Sequence, residues 1–371
     1  MMADVGLMTY VGWGRDGEEN AMTTSGRRER RAYIGSFTRA GGPGITVAHV
    51  DGETGALTPV HSTAVAADPS FLALSDDGNT LYAVGETEPG TATAFSLADP
   101  DRPEPLGPAV PVEGDAPTHL ALAGSWLFTA NYRSGSVSAL PVAGDGGLGK
   151  SPVVLRHQGG GPVSTRQAGP HAHAVAPDPT GRWLLAADLG TDSVYVSALD
   201  PETGEPTPHG ETRLRPGSGP RMIVFHPDGQ RAYVLNELDA TVTVCRWDAG
   251  PGVLEPLETA TVVTAGAVDP TYPSTPVLSP DGRFLWAANR GDDTLATLAL
   301  DPSGDAPRLR STVSCGGHWP RHLAAHPDGG LLYAANERSG DVTWFTVDPD
   351  TGIPVRAGSV AAPAASCVVF R

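Results

Sequence analysis

The chain has 371 residues, 40% of them hydrophobic and only 18% charged, with a formal net charge of −17. That balance supplies a large core, excludes the Glu/Lys-rich helices of a bundle, and argues against nucleic acid or anionic membranes as partners. Any anionic substrate must therefore meet a local positive site built against the global field. Glycine (46) and proline (35) are spread at intervals, as in a fold with many tight turns. Cys245, Cys315 and Cys367 are far apart and show neither metal-ligand spacing nor a disulfide framework, so a reducing compartment, the cytoplasm, is expected. The sequence contains no run of about 18 apolar residues, so no membrane span is expected.

Residues 1–31 lack an apolar signal core and end in the basic run Arg27, Arg28, Arg30, Arg31. They are expected to form a disordered tail, with Met22 as an alternative start. From residue 32 onward one pattern recurs: a large apolar residue in a β-rich run, then a polar residue three positions on. The copies centre on Tyr33, Tyr82, Phe128, Leu185, Tyr233, Trp286 and Tyr333, at spacings of 49, 46, 57, 48, 53 and 47 residues. An alternating strand follows each copy, for example ITVAHV, SVYVSAL and DVTWFTV, and then an acidic turn with Gly or Pro. Before most copies lies another strand ending in a tight turn such as SPDG or HPDG, a strong hairpin signal. Each unit is thus four short antiparallel strands, a propeller blade. The strand near Tyr33 lacks a preceding partner, and SCVVF at the C-terminus is an orphan. Pairing the two gives an all-β, seven-bladed β-propeller over 32–371, closed by its own terminal strands and without an open sheet edge.

In an antiparallel blade the first strand begins on the face where the second ends. Each first strand is entered through a proline, and the residues that follow are Ser70, Thr118, His171, Arg221, Ser274, Arg321 and Ala364. Small residues would serve the scaffold at all of these; His171, Arg221 and Arg321 depart from that default. His173 falls where other blades carry Leu72, Leu120, Ile223 and Leu323. Alternation would send His171 and His173 to one side. The ends of the second strands add Glu86, Asn131, Tyr132, Asp188, Asn236, Glu237, Asn289, Arg290, Asn336 and Glu337. The asparagines are expected to close Asx turns. The longest connection, Arg156 to His173, brings His157, Gln158, Arg166 and Gln167 to the same face. His226 and His326 belong to hairpins of the opposite face, and Cys245 is expected in the core. The His, Arg and Glu set suits general acid/base chemistry on an anionic substrate.

The string HQGGGPVSTRQAGPHAHAVAPDPTGRWLLAADLGTDSVYV, with G-P-R at Gly219–Arg221, N-E at Asn236–Glu237 and W-P-R-H at Trp319–His322, resembles the lactonase family of seven-bladed propellers. The resemblance spans about residues 32–371. That family includes bacterial 6-phosphogluconolactonases and fungal enzymes that cyclise carboxymuconate without a metal. It implies His173, Arg221, Glu237 and Arg290 as catalytic residues. His171, His157, Arg166, Gln167, Arg321, Asp188 and Glu337 are expected around a small anionic lactone or polycarboxylate substrate, with no cofactor and no metal, in a monomer or weak homo-oligomer. Three rival readings stand beside lactone hydrolysis. One is a carboxymuconate-type cyclase. Another is a lactonase whose Glu86, Asp188 and asparagine ring bind Ca²⁺. The last is a non-catalytic binding propeller.

Overall fold

A computed structural model describes residues 30–268, 270–327 and 329–371. Seven antiparallel sheets follow one another along the chain. Blade 1 joins Ala365–Phe370 to Arg30–Ser36, Ile45–Val50 and Leu57–Thr63. Blade 2 runs from Leu72–Leu74 through Thr80–Gly85 and Thr91–Ser96 to a split outer strand, Glu104–Pro105 and Val110–Pro111. Blade 3 is Pro117–Ala123, Trp126–Asn131, Ser136–Pro141 and Val153–Arg156, and blade 4 is Ala172–Pro177, Trp183–Asp188, Ser193–Leu199 and Pro206–Arg213. Blade 5 is Pro220–Phe225, Arg231–Asn236, Thr241–Asp248 and Val253–Thr261. Blade 6 is Tyr272–Leu278, Phe284–Arg290, Thr294–Ala299 and Arg308–Ser314, and blade 7 is Pro320–Ala325, Leu331–Asn336, Asp341–Val347 and Pro354–Ala361. The terminal strands pair as expected, with Ile34 opposite Val368.

The first strand takes in Arg30 and Arg31, so the propeller starts slightly before the expected boundary at 31/32; the tail expected to be disordered otherwise lies outside the described residues. Blade 2 departs from four continuous strands because Pro103, Pro105, Pro108 and Pro111 interrupt its outer edge, where a missing N–H donor is tolerated. No helix among the described residues is long and apolar enough to cross a membrane.

Period-2 alternation gives each strand an apolar set on both faces, and the core is divided accordingly. Seven apolar clusters fill the seven gaps between neighbouring blades, such as Trp183, Val196, Phe225 and Trp247 between blades 4 and 5. Hydrogen bonds repeat the same closure. In every blade an aromatic side chain of the second strand donates to a carbonyl in the acidic turn of the next blade. The pairs are Tyr33 to Pro100, Tyr82 to Gly146, Trp126 to Thr203, Trp183 to Ala249, Tyr233 to Gly304, Trp286 to Gly352 and Tyr333 to Gly55, between 2.5 and 3.0 Å. This is why aromatics recur in the repeat. In blades 3 and 4 the role passes from Phe128 and Leu185 to a tryptophan two residues earlier, on the same strand face. Gly55 sits at φ +72 and a Cβ there would lie 2.7 Å from the Tyr333 hydroxyl, so both backbone conformation and space require glycine in that turn.

Candidate active site

The channel entrance is built from β-bulges. In blade 5, Pro220 pairs with Asn236 and Met222 with Leu235, leaving Arg221 as the extra residue. Arg321 in blade 7, Thr118 in blade 3 and Ser366 in blade 1 are displaced in the same way. A bulge turns its extra side chain out of the strand's alternation, here toward the axis. In blade 4 the displaced residue is His173, between Ala172 opposite Asp188 and Ala174 opposite Ala187. The ring expected from proline spacing therefore needs correcting at three positions: His173 replaces His171, Thr275 replaces Ser274, and Ser366 replaces Ala364. Ser70, Thr118, His173, Arg221, Thr275, Arg321 and Ser366 line one narrow cavity, with Phe71, Met222 and His322 beneath. The expected alternation of His171 and His173 is broken by this bulge. His171 stays at the rim, stacked on Tyr132 at 4.5 Å with its Nδ1 2.9 Å from the Tyr132 carbonyl, whereas His173 meets the Tyr132 ring edge-on at 5.5 Å.

Glu237 follows directly on the second strand of blade 5, its N–H bonded to the carbonyl of Gly219. Its carboxylate meets three arginines. Arg166 Nη2 donates to Oε1 at 2.5 Å and Arg290 Nη2 to Oε2 at 2.6 Å. Arg221 Nε lies 3.0 Å from Oε2, too oblique for a hydrogen bond. Each arginine is held elsewhere as well: Arg290 Nε donates to the Tyr272 carbonyl at 3.0 Å, Arg221 Nη1 to the Ser274 carbonyl, and Arg166 Nη2 contacts the Tyr132 hydroxyl at 3.4 Å. Glu237 and Arg221 are each 4% exposed, and Arg290 and His173 6%. Burial alone would raise the Glu237 carboxyl, but Arg290 and Arg221 outweigh it and hold the group below the usual carboxylate range. Burial, reinforced by Arg221, pushes His173 well below the usual histidine range, so its imidazole is neutral; its Nδ1 is buried with no partner in the protein. A neutral imidazole with a ring nitrogen to spare, beside an ionised carboxylate and a surplus of guanidinium groups, can accept a proton and stabilise developing negative charge.

Arg321 faces Glu337 at 3.3 Å and Glu86 at 3.5 Å and lies 4.8 Å from the Phe37 ring centroid. Arg39 joins the same group through Asp68 and Glu86. Trp319 bridges the rim: Arg338 stacks on it at 3.4 Å and Arg290 lies 5.6 Å from its centroid. The remaining expected residues have internal partners. Asp188 accepts from the N–H groups of His171, Gly190 and Thr191, and its other oxygen lies 2.7 Å from His157 Nδ1. The His157 ring stacks on Tyr195 at 3.8 Å. Gln167 ties the long connection to Leu189 and Asp192. The asparagines are structural, though not through Asx turns: Asn131, Asn236, Asn289 and Asn336 donate to Ser or Thr hydroxyls of the adjacent third strand. Glu86 and Asp188, considered as Ca²⁺ ligands, are engaged with arginines and with backbone amides, and among the described residues no group of three His, Cys, Asp or Glu is placed to hold a metal ion. His119 is a site residue that the sequence did not single out, and His322 entered only as part of the W-P-R-H motif, without a place in the site. They flank Phe71 at 4.2 and 5.5 Å in the channel floor, and burial pushes both down to about 3. Their shared P-x-H spacing, Pro117 to His119 and Pro320 to His322, was the available signal.

Seven four-stranded blades around a channel, with histidine, glutamate and arginine side chains gathered at its mouth, fit the propeller lactonases. The chain belongs to that family: residues 31–370 match the model described as lactonase, 7-bladed beta-propeller. It is 30% identical to the 6-phosphogluconolactonase of Bacillus subtilis (strain 168) over 293 residues, covering 78% of this chain and 83% of that one. The structure of the periplasmic gluconolactonase of Pseudomonas aeruginosa superposes with a TM-score of 0.85 at 34% identity, covering 92% of this chain and 98% of that one. A crystal structure of a protein from Lactobacillus plantarum gives 0.86 at 28% identity over 92% and 99%.

Proposed function

We propose that this chain hydrolyses a sugar-type lactone, with 6-phosphogluconolactone as its best substrate, by metal-free acid/base catalysis at the channel mouth. The observation that carries this reading is the sharing of one carboxylate, Glu237, by Arg166, Arg221 and Arg290 beside the neutral His173. The surplus positive charge suits both an anionic substituent and the oxyanion of a tetrahedral intermediate. His173 takes a proton from water as the oxygen attacks the lactone carbonyl. The imidazolium then returns it to the ring oxygen as the C–O bond breaks. Glu237 stays ionised, keeps the guanidinium groups in place and balances the charge on His173. The names of the relatives support the substrate class, and the gluconolactonase neighbour makes the unphosphorylated sugar lactone the natural comparison.

The test is proton release from freshly made 6-phosphogluconolactone and from unphosphorylated gluconolactone, with and without chelator. Faster decay of the phosphorylated lactone, unchanged by chelator, is expected. A preference for the unphosphorylated lactone overturns the substrate assignment, loss of activity in chelator overturns the metal-free mechanism, and acceleration of neither lactone overturns the hydrolase reading.

A further inference from the structure

The ring beneath Glu237 has properties that lactone chemistry does not require. Following the blades, it reads Ser366, Ser70, Thr118, His173, Arg221, Thr275 and Arg321, all lining a cavity with room for about one water-sized particle. The two threonine hydroxyls are committed to the protein: Thr118 donates to the His173 carbonyl at 3.2 Å and Thr275 to the Arg321 carbonyl at 3.3 Å. The two serine hydroxyls are not. Ser70 and Ser366 are 3% and 2% exposed, and neither Oγ has a hydrogen-bond partner in the protein. A buried hydroxyl without a partner is destabilising, so two of them on neighbouring blades, facing one small cavity, point to something that accepts from both.

The charge inventory says what that is. The rim sets two guanidinium groups, Arg39 and Arg321, against three carboxylates, Asp68, Glu86 and Glu337, so Arg321 is more than balanced and the surplus positive charge lies on the Arg221 side. Around Glu237 three guanidinium groups share one carboxylate, and the most buried of them, Arg221, borders the cavity. A buried cation beyond its compensating anions is unfavourable unless an anion joins it. The neutral His173 adds no charge of its own.

We propose that the ring binds a small monovalent inorganic anion of halide size, held by the Ser70 and Ser366 hydroxyls and the Arg221 and Arg321 guanidinium groups. The site rests on the hydroxyl and charge inventory of the ring and not on lactone hydrolysis. Its occupant balances the arginine cluster in the resting protein.

Bromide is the probe. Crystals soaked in sodium bromide, without substrate, are expected to show an anomalous peak within hydrogen-bonding range of the Ser70 and Ser366 hydroxyls. In solution, bromide is expected to raise thermal stability relative to fluoride at equal ionic strength. The Ser70→Ala/Ser366→Ala double variant is expected to bind bromide at least about tenfold more weakly. Density at the ring without anomalous signal, meaning an ordered water, overturns the proposal, as does a bromide peak elsewhere only. If the double variant does not fold, the peak in the unaltered protein still decides. Because no substrate is present, failure here leaves the hydrolase reading untouched, and the converse also holds.

Discussion

Arg166 Nη2 and Glu237 Oε1 lie 2.5 Å apart, joining the long connection before blade 4 to the end of the second strand of blade 5. The connection is independently braced by Gln167, whose amide bonds Leu189 and Asp192 and accepts from Val163. Truncating Arg166 should therefore leave the loop in place and remove only a positive charge from the mouth. Arg166→Met is expected to lower kcat/KM by about 10- to 100-fold, mainly through KM. Steady-state kinetics on an anionic lactone checks this; a fall confined to kcat speaks against a substrate-binding role.

Glu237 orients two buried arginines and remains ionised, so Glu237→Gln removes a charge without removing bulk. Arg221 and Arg290 then lose their shared carboxylate in a site that already carries surplus positive charge. Turnover is expected to fall by about 10²–10⁴-fold, with circular dichroism unchanged. Unaltered turnover removes Glu237 from the mechanism.

How much of this was legible follows from which features are periodic. Blade number, the closing strand and the face that carries the site follow from spacings and from antiparallel geometry. Glu237, Arg221 and Arg290 converge because strand ends are fixed by the repeat. The bulge recurs from blade to blade, but its distance from the entry proline does not. The channel-facing residue directly follows the proline in blades 3, 5 and 7, lies two positions on at Thr275 in blade 6, and lies three positions on at His173 and Ser366 in blades 4 and 1, a variation that proline spacing cannot register. Internal partners are equally invisible in sequence. Asp188 looks like a site carboxylate until its oxygens are found on three backbone amides and on His157. Trp126 and Trp183 hid the interblade bond because they stand two residues before the repeat position.

The interblade bonds predict a stability effect far from the site. Tyr333 donates to the Gly55 carbonyl at 2.7 Å across the junction of blades 7 and 1. Tyr333→Phe should destabilise by about 1 kcal/mol or more, since the Gly55 carbonyl loses its donor. Denaturant unfolding with an unchanged slope is the check. An effect below about 0.3 kcal/mol would mean that water replaces the hydroxyl.

Stability should also depend on pH through the channel floor. Burial holds His119 and His322 at about 3 in the folded protein, well below the ordinary value of 6.5. Below pH 6.5 the unfolded chain binds protons that the folded chain does not, so stability is present in full above 6.5. It is lost as pH falls from 6.5 toward 3, by up to about 1.4 kcal/mol per pH unit for each histidine. His322→Gln should make this slope shallower in chemical unfolding measured from pH 7 to pH 5. A slope identical to that of the unaltered protein contradicts the assignment.

The central claim is that the neutral His173, beside a glutamate shared by three arginines, moves the proton in lactone opening. The measurement that tests it most directly is the pH dependence of kcat/KM on freshly made lactone, for the unaltered protein and for His173→Asn. Because burial keeps His173 neutral well below the usual histidine range, the unaltered protein should show no loss of activity as pH falls through 6.5, and His173→Asn should lower turnover by about 10²–10⁴-fold at every pH. An inflection near 6.5 that persists in His173→Asn, or turnover unchanged by that substitution, would contradict it.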